Sequence, residues 1–194
     1  MNYRPRIADK LLENKLKGMG AVLVEGAKWC GKTTTGERHA ASVLYMDNPK
    51  DRTSNIQMVK INPDFLLNGA TPRLIDEWQI APELWDAVRF AVDHRDEDGQ
   101  FILTGSVTPL SDEDDEKIHH SGVGRIARLR MRPMTLWESG DSTGEISLGV
   151  LFQGAEDVFG SCDKELYDIA WLMCRGGMVK GCESVKRHCT WTCL

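Results

Sequence analysis

Hydrophobic positions along this chain fall into short continuous runs and longer helical stripes, in alternation. Gly20–Gly26, GAVLVEG, is almost wholly apolar and ends in glycine, the pattern of a strand buried on both faces. From Lys32, KTTTGERHAAS predicts a helix, weakened by Gly36. Val43–Asp47 predicts a second strand, stopped by Asn48-Pro49. A helical region over Thr53–Leu67 leads into a third strand, Pro72–Trp78. In APELWDAVRFAVDHR, Leu84, Trp85, Val88, Ala91 and Val92 share one helical face, and Glu83, Asp86, Arg89 and Asp93 fall mostly opposite. Gln100–Ser106 and Arg125–Pro133 read as fourth and fifth strands, and in the fifth Arg128, Arg130 and Arg132 alternate with Leu129 and Met131.

Strands alternating with helices predict an α/β fold, a parallel sheet with helices on both faces. In such sheets ligands bind at the carboxyl ends of the strands. The polar residues cluster there. A glycine-rich loop follows strand one, Asp76-Glu77 end strand three, and Thr104 and Ser106 end strand four.

The loop supplies the first chemistry. Gly26, Gly31, Lys32 and Thr33 match G-x-x-x-x-G-K-[ST], after a predicted strand and at the start of a predicted helix. Glycines let the backbone wrap closely around phosphate with its N–H groups inward, and the helix presents its positive end to the same anion. Gly26, Ala27, Lys28, Trp29, Cys30, Gly31, Lys32, Thr33 and Thr34 are therefore the candidate nucleotide contacts, with Lys32 reaching the β- and γ-phosphates and Thr33 ligating magnesium. Asp76 is the second magnesium ligand, acting through water. Glu77 beside it is placed to orient a water and take its proton. The plainer alternative is an exposed acidic pair. Thr104 or Ser106 can sense the γ-phosphate, although hydroxyls at strand ends also cap helices. Arg125, after the turn SGVGR, is the first candidate for neutralising transition-state charge, within the chain or in a neighbour's site. Arg128, Arg130 and Arg132 read as a solvated or salt-bridged face. The sharper reading is an interface with a partner or a nucleic-acid backbone. Trp29 either flanks the nucleotide or packs as core. Cys30, among loop N–H groups and near Lys32, is either a reactive thiolate that blocks ATP when modified or a small buried filler.

Composition narrows the class. The 194 residues are 41% hydrophobic and 27% charged, as in globular proteins. No apolar run approaches the ~20 residues that cross a bilayer, and the N-terminal segment lacks the apolar core of a secretory signal. The expectation is a cytoplasmic protein without a membrane role. A net charge of −5 makes no global case for nucleic acid. Ser111–Lys117 is an acidic run that reads as a solvated loop. Five of six cysteines lie in the last third. Cys182, His188, Cys189 and Cys193 invite a zinc reading, but their spacing matches no common zinc module.

Four blocks, GAKWCGKTTT, PRLIDEWQ, FILTGS and GVGRIARLRMRPMTLWESGDS, together resemble a family of prokaryotic AAA+-like P-loop ATPases close to the archaeal–bacterial ATPase group. The resemblance covers Tyr3 to Gly177. It implies a P-loop NTPase fold, an AAA+-like five-stranded parallel sheet with the loop strand central. By that likeness Gly31, Lys32 and Thr33 fall in Walker A, Asp76 and Glu77 in Walker B, and Thr104 or Ser106 on the sensor strand. It further implies ATP and Mg2+ as ligands and ATP hydrolysis coupled to a protein partner or DNA, with a homo-oligomer among the arrangements. The expected organisation is an ATP-binding core over 1–160, the beginning of a helical lid over 161–177, and an atypical tail over 178–194. Family members are longer, and after RGG this chain departs from their pattern, the mark of a truncation or of a frameshift near Met178. A shortened lid is expected to expose apolar surface around Trp171, Leu172 and Met173. The alternatives are a nucleotide-binding module with little turnover and a small-molecule kinase, against which the Asp76-Glu77 pair speaks.

Overall fold

The computed structural model describes residues 3–106, 122–154 and 159–178. The acidic run Ser111–Lys117 and the cluster of Cys182, His188, Cys189 and Cys193 lie outside the described residues, as does the side chain of Ser106. The chain divides into two units, one ending at Arg132 and the other beginning at Pro133.

In the first unit five strands form one sheet: β1 (Ala21–Gly26), β2 (Ser42–Tyr45), β3 (Arg73–Asp76), β4 (Phe101–Ser106) and β5 (Ile126–Met131). Their order is β2-β3-β4-β1-β5, and every pairing is parallel. β1 is interior, between β4 and β5, while β4 holds the middle position. Successive side chains point to opposite faces, and the core divides accordingly. Leu23, Ile75 and Leu103 pack on one face with Met46, Trp78, Leu84, Trp85 and Val88. Val22, Val24, Leu74 and Ile102 pack on the other with Leu12, Leu129 and Met131.

The helices follow that division. α1 (Ile7–Leu16) and α2 (Lys32–His39) cover the second face; α3 (Arg52–Ile61), α4 (Asp64–Leu67) and α5 (Glu83–Arg95) cover the first. α1 had no counterpart in the sequence reading, because a charged surface masks its spaced Ala8 and Leu12, which are buried. The glycine that weakens α2 has a packing reason: a Cβ on Gly36 would lie 2.8 Å from Leu74 Cδ1. The helical region expected over Thr53–Leu67 is two helices. Pro63 has no N–H to continue the ladder, and Asn62 ends α3 in an extended conformation. In α5 the expected apolar face is buried at Leu84, Trp85, Val88 and Ala91, with Val92 at its edge. Glu83 and Asp86 in its first turn and His94 and Arg95 in its last complement the helix dipole.

The second unit contains two helices among its described residues, Leu148–Phe152 and Leu166–Arg175. Arg175 donates to Asp141 Oδ2 at 2.7 Å and stacks over Trp171. Met173 is 80% exposed, whereas Trp171 and Leu172 are half-buried, so the expected apolar exposure is real but shifted toward Leu166, Tyr167 and Met173. Among the described residues no helix is long and apolar enough to cross a membrane.

Candidate phosphate-binding site

The loop from β1 to α2 is shaped by contacts that only certain residues permit. A Cβ on Gly26 would lie 2.2 Å from the Met131 carbonyl oxygen, so β5 leaves no room for a side chain there. Gly31 has φ 101, a left-handed conformation that glycine adopts without strain, and it turns the chain into α2. The loop and the helix N-terminus thus bring a run of backbone N–H groups to the end of β1.

Lys32, the first residue of α2, is buried. Its ammonium donates to the carbonyls of Gly26 and Ala27, each at 3.0 Å. Those carbonyls curl the loop around the charge that an incoming anion would share. Ala27, Lys28 and Thr34 are exposed beside it. Trp29 is 64% exposed at φ 65, with the Lys28 ammonium 5.6 Å from its ring centroid. Core packing of Trp29 is thereby overturned, and the ring stands at the rim of the loop. Cys30 is fully buried, its Sγ directed at the Met131 carbonyl. The reactive-thiol reading gives way to the buried filler, because the side chain points under the loop and not into it.

Opposite the loop, the register pairs Asp76 at the end of β3 with Thr104 on β4. Both are buried. Asp76 Oδ1 accepts from the Thr33 hydroxyl at 2.8 Å and from the Thr104 hydroxyl at 2.5 Å. Burial raises the Asp76 carboxyl above its ordinary range and nearby Glu77 and Asp47 add to the rise, while the two hydroxyls oppose it. Thr33 from the start of α2 and Thr104 from β4 therefore meet at one oxygen of Asp76. A buried carboxylate beside further carboxylates, with hydroxyl oxygens as partners, is a hard-oxygen set that suits magnesium. Among the described residues no group of three or more His, Cys, Asp or Glu is placed to hold a metal ion by itself.

Glu77 follows in a left-handed conformation, φ 56 and ψ 45, and begins the 3-10 turn Trp78–Ile80. Glu77 Oε2 accepts from Gln79 Nε2.

Arg125 does not join this site. It precedes β5, whose first residue, Ile126, pairs with Ala21 at the amino end of β1. Six parallel residues separate it from the loop, about 20 Å along the strand. Its guanidinium pairs with Asp93 at 2.5 Å. The expectation that Arg125 serves its own loop is corrected on that ground, since the parallel pairing puts the amino end of β5 beside the amino end of β1, at the end of the sheet away from the loop. Arg128 pairs with Glu25 at 3.6 Å, in line with the salt-bridged reading of that face, and Arg130 is exposed.

Arg6 is a structural contributor that sequence reasoning passed over. It is buried at the N-cap of α1 and donates to the Cys30 carbonyl at 2.7 Å and to the Arg132 carbonyl at 2.9 Å. It ties the loop to the end of β5. An arginine among RPRIADK carries no local mark of this, because both acceptors are distant backbone groups.

The chain belongs to the AAA domain family, whose model matches residues 19–139. The fold is similar to the structure of AMPPCP-bound DnaA from Aquifex aeolicus, with a TM-score of 0.50 and 13% sequence identity over 91% of this chain. This chain spans 57% of that DnaA chain, and the likeness is one of fold. A search of curated proteins finds no match.

Proposed function

We propose that this AAA domain binds ATP and hydrolyses it with magnesium, in the cytoplasm, and that nucleotide state is relayed to a protein partner or DNA. The observation that carries the reading is the convergence of Thr33 and Thr104 on Asp76, with Glu77 the next residue. The AMPPCP in the DnaA structure supports a nucleoside triphosphate as the ligand class. Thr33 and Asp76 would hold magnesium, which when bound neutralises charge on the β- and γ-phosphates. Lys32 transfers its hydrogen bonds from the loop carbonyls to phosphate oxygens. Thr104 holds Asp76 in place, and with Ser106 it lies on the strand that reports on the γ-phosphate. Glu77 takes a proton from the attacking water. Arg125, at the far edge of its own sheet, serves a neighbour's site in a homo-oligomer.

We further propose that residues 161–177 begin a helical lid, on the basis of the helix Leu166–Arg175. The test is phosphate release by purified protein with and without magnesium and DNA. Turnover in wild type that Glu77→Gln abolishes, with nucleotide still bound, supports hydrolysis. Binding with equal background turnover in both identifies a nucleotide-binding module. Phosphate appearing only on an added small acceptor identifies a kinase.

A further inference from the structure

We infer that Gln79 is a water-holding residue of this site: its amide nitrogen fixes Glu77, and its amide oxygen accepts from the attacking water. The inference deepens the ATPase reading and rests on it. Gln79 Nε2 donates to Glu77 Oε2 across the 3-10 turn. A carboxylate can only accept here, so the bond fixes which end of the carboxamide is nitrogen and which is oxygen. The other end, Oε1, is buried and has no hydrogen-bond partner among the described residues. It lies against β4: a Cβ on Gly105 would come within 2.5 Å of it. Gly105 follows Thr104, the residue that holds Asp76. The carboxamide therefore reaches from Glu77 to the strand carrying the Asp76 contact, with an acceptor free on that side.

A buried acceptor without a donor is uncommon in folded proteins, and a catalytic role or a bound water is among its explanations. Hydrolysis supplies such a donor. The water oxygen forms a bond to the γ-phosphorus, and the bond from that phosphorus to the β,γ-bridging oxygen breaks. The leaving nucleoside diphosphate keeps the electron pair. One water proton passes to Glu77 and from there to the phosphate product. The other O–H stays on the attacking oxygen and needs an acceptor that holds it in line. Gln79 Oε1 fills that role, as a glutamine orients the attacking water in GTPases.

The experiment compares wild type, Gln79→Ala and the isosteric Gln79→Glu, which loses the donor and repels Glu77. Three quantities are read: kcat and KM for ATP, affinity for ADP, and retention of ADP with aluminium fluoride, a mimic of the phosphoryl group in transfer. The expected result for both variants is a fall in kcat of about 100-fold with KM and ADP affinity unchanged, and faster loss of the fluoride complex. A merely structural role would instead lower Tm and weaken ADP binding together with kcat. Turnover at the wild-type rate, or equal retention of the fluoride complex, overturns the inference. If Gln79→Ala loses its melting transition, Gln79→Glu carries the comparison. Wild-type turnover no faster than that of Glu77→Gln counts against hydrolysis by this chain, while unequal retention of the fluoride complex still supports the role of Gln79.

Discussion

Replacing Thr104 with valine keeps the shape of the side chain and removes one hydroxyl from Asp76. The hydroxyl is buried and donates to Oδ1 at 2.5 Å. A hydrogen bond to a charged group contributes about 1.5–3 kcal/mol. Thr104→Val should therefore destabilise the metal-free protein by that amount, a fall in Tm of about 3–12 °C for a chain of this size. In the Asp76→Asn background the acceptor is neutral, and the same change should cost only about 0.5–1.5 kcal/mol. The difference is the coupling between the two side chains, which a double-mutant cycle measures. The pH dependence has a definite sign. Burial, with Glu77 and Asp47 adding, raises Asp76 in the folded state. The folded protein then holds its proton to higher pH than the unfolded chain, so this group's contribution to stability falls as pH rises from its ordinary range through the raised one. Thr104 favours the carboxylate, and its removal pushes Asp76 higher still. The Thr104→Val penalty should be full above that window and shrink as pH falls into it. Urea unfolding of the four proteins across pH, without magnesium, is the assay. A penalty that is the same with aspartate or asparagine at position 76, and flat with pH, would refute the reasoning.

Three further outcomes are expected. Arg6→Met leaves the carbonyls of Cys30 and Arg132 without its guanidinium and should cost at least about 1.5–3 kcal/mol; urea unfolding and a fluorescent-nucleotide titration should show stability and affinity falling together. Lys32→Met should weaken ATP binding far more than it lowers Tm, since in the free protein the ammonium bonds the loop's own Gly26 and Ala27 carbonyls; calorimetric titration checks this. Cys30 should resist a thiol reagent in the folded protein while the exposed Cys162 and Cys174 react, so wild type and Cys30→Ser should release the same number of thiols until denaturant is added.

The parts of this molecule that sequence made legible are those whose chemistry is written locally. Gly31, Lys32 and Thr33 match a phosphate loop by type and spacing, and four apolar runs and one alternating stretch mark the strands. The same strand-end logic brought Asp76 and Thr104 to the right edge, where the register pairs them. For Arg125 the sequence left its own loop and a neighbour's site both open, because proximity to a strand does not say which end of the sheet the chain enters. Trp29 and Cys30 are neighbours, yet one faces solvent and the other lies under the loop, a difference set by a positive φ that no sequence pattern announced. Arg6 and Gln79 act through distant backbone and through a single side-chain contact. Only a following amide two residues after Glu77 could have hinted at the second.

The contact from Arg6 to Arg132 also sets a timetable for synthesis. The phosphate loop leaves the ribosome early, but one of the carbonyls that Arg6 clasps emerges 126 positions after the arginine itself. At about 5–20 residues per second, the loop waits on the order of 5–20 s between its own appearance and that of residue 132. Until then β1 lacks β5 as a neighbour, and Met131 is not yet there to roof Gly26 and Cys30. Nascent chains paused before that point carry the loop's sequence without its shape, so affinity for nucleotide should arrive late in translation and abruptly.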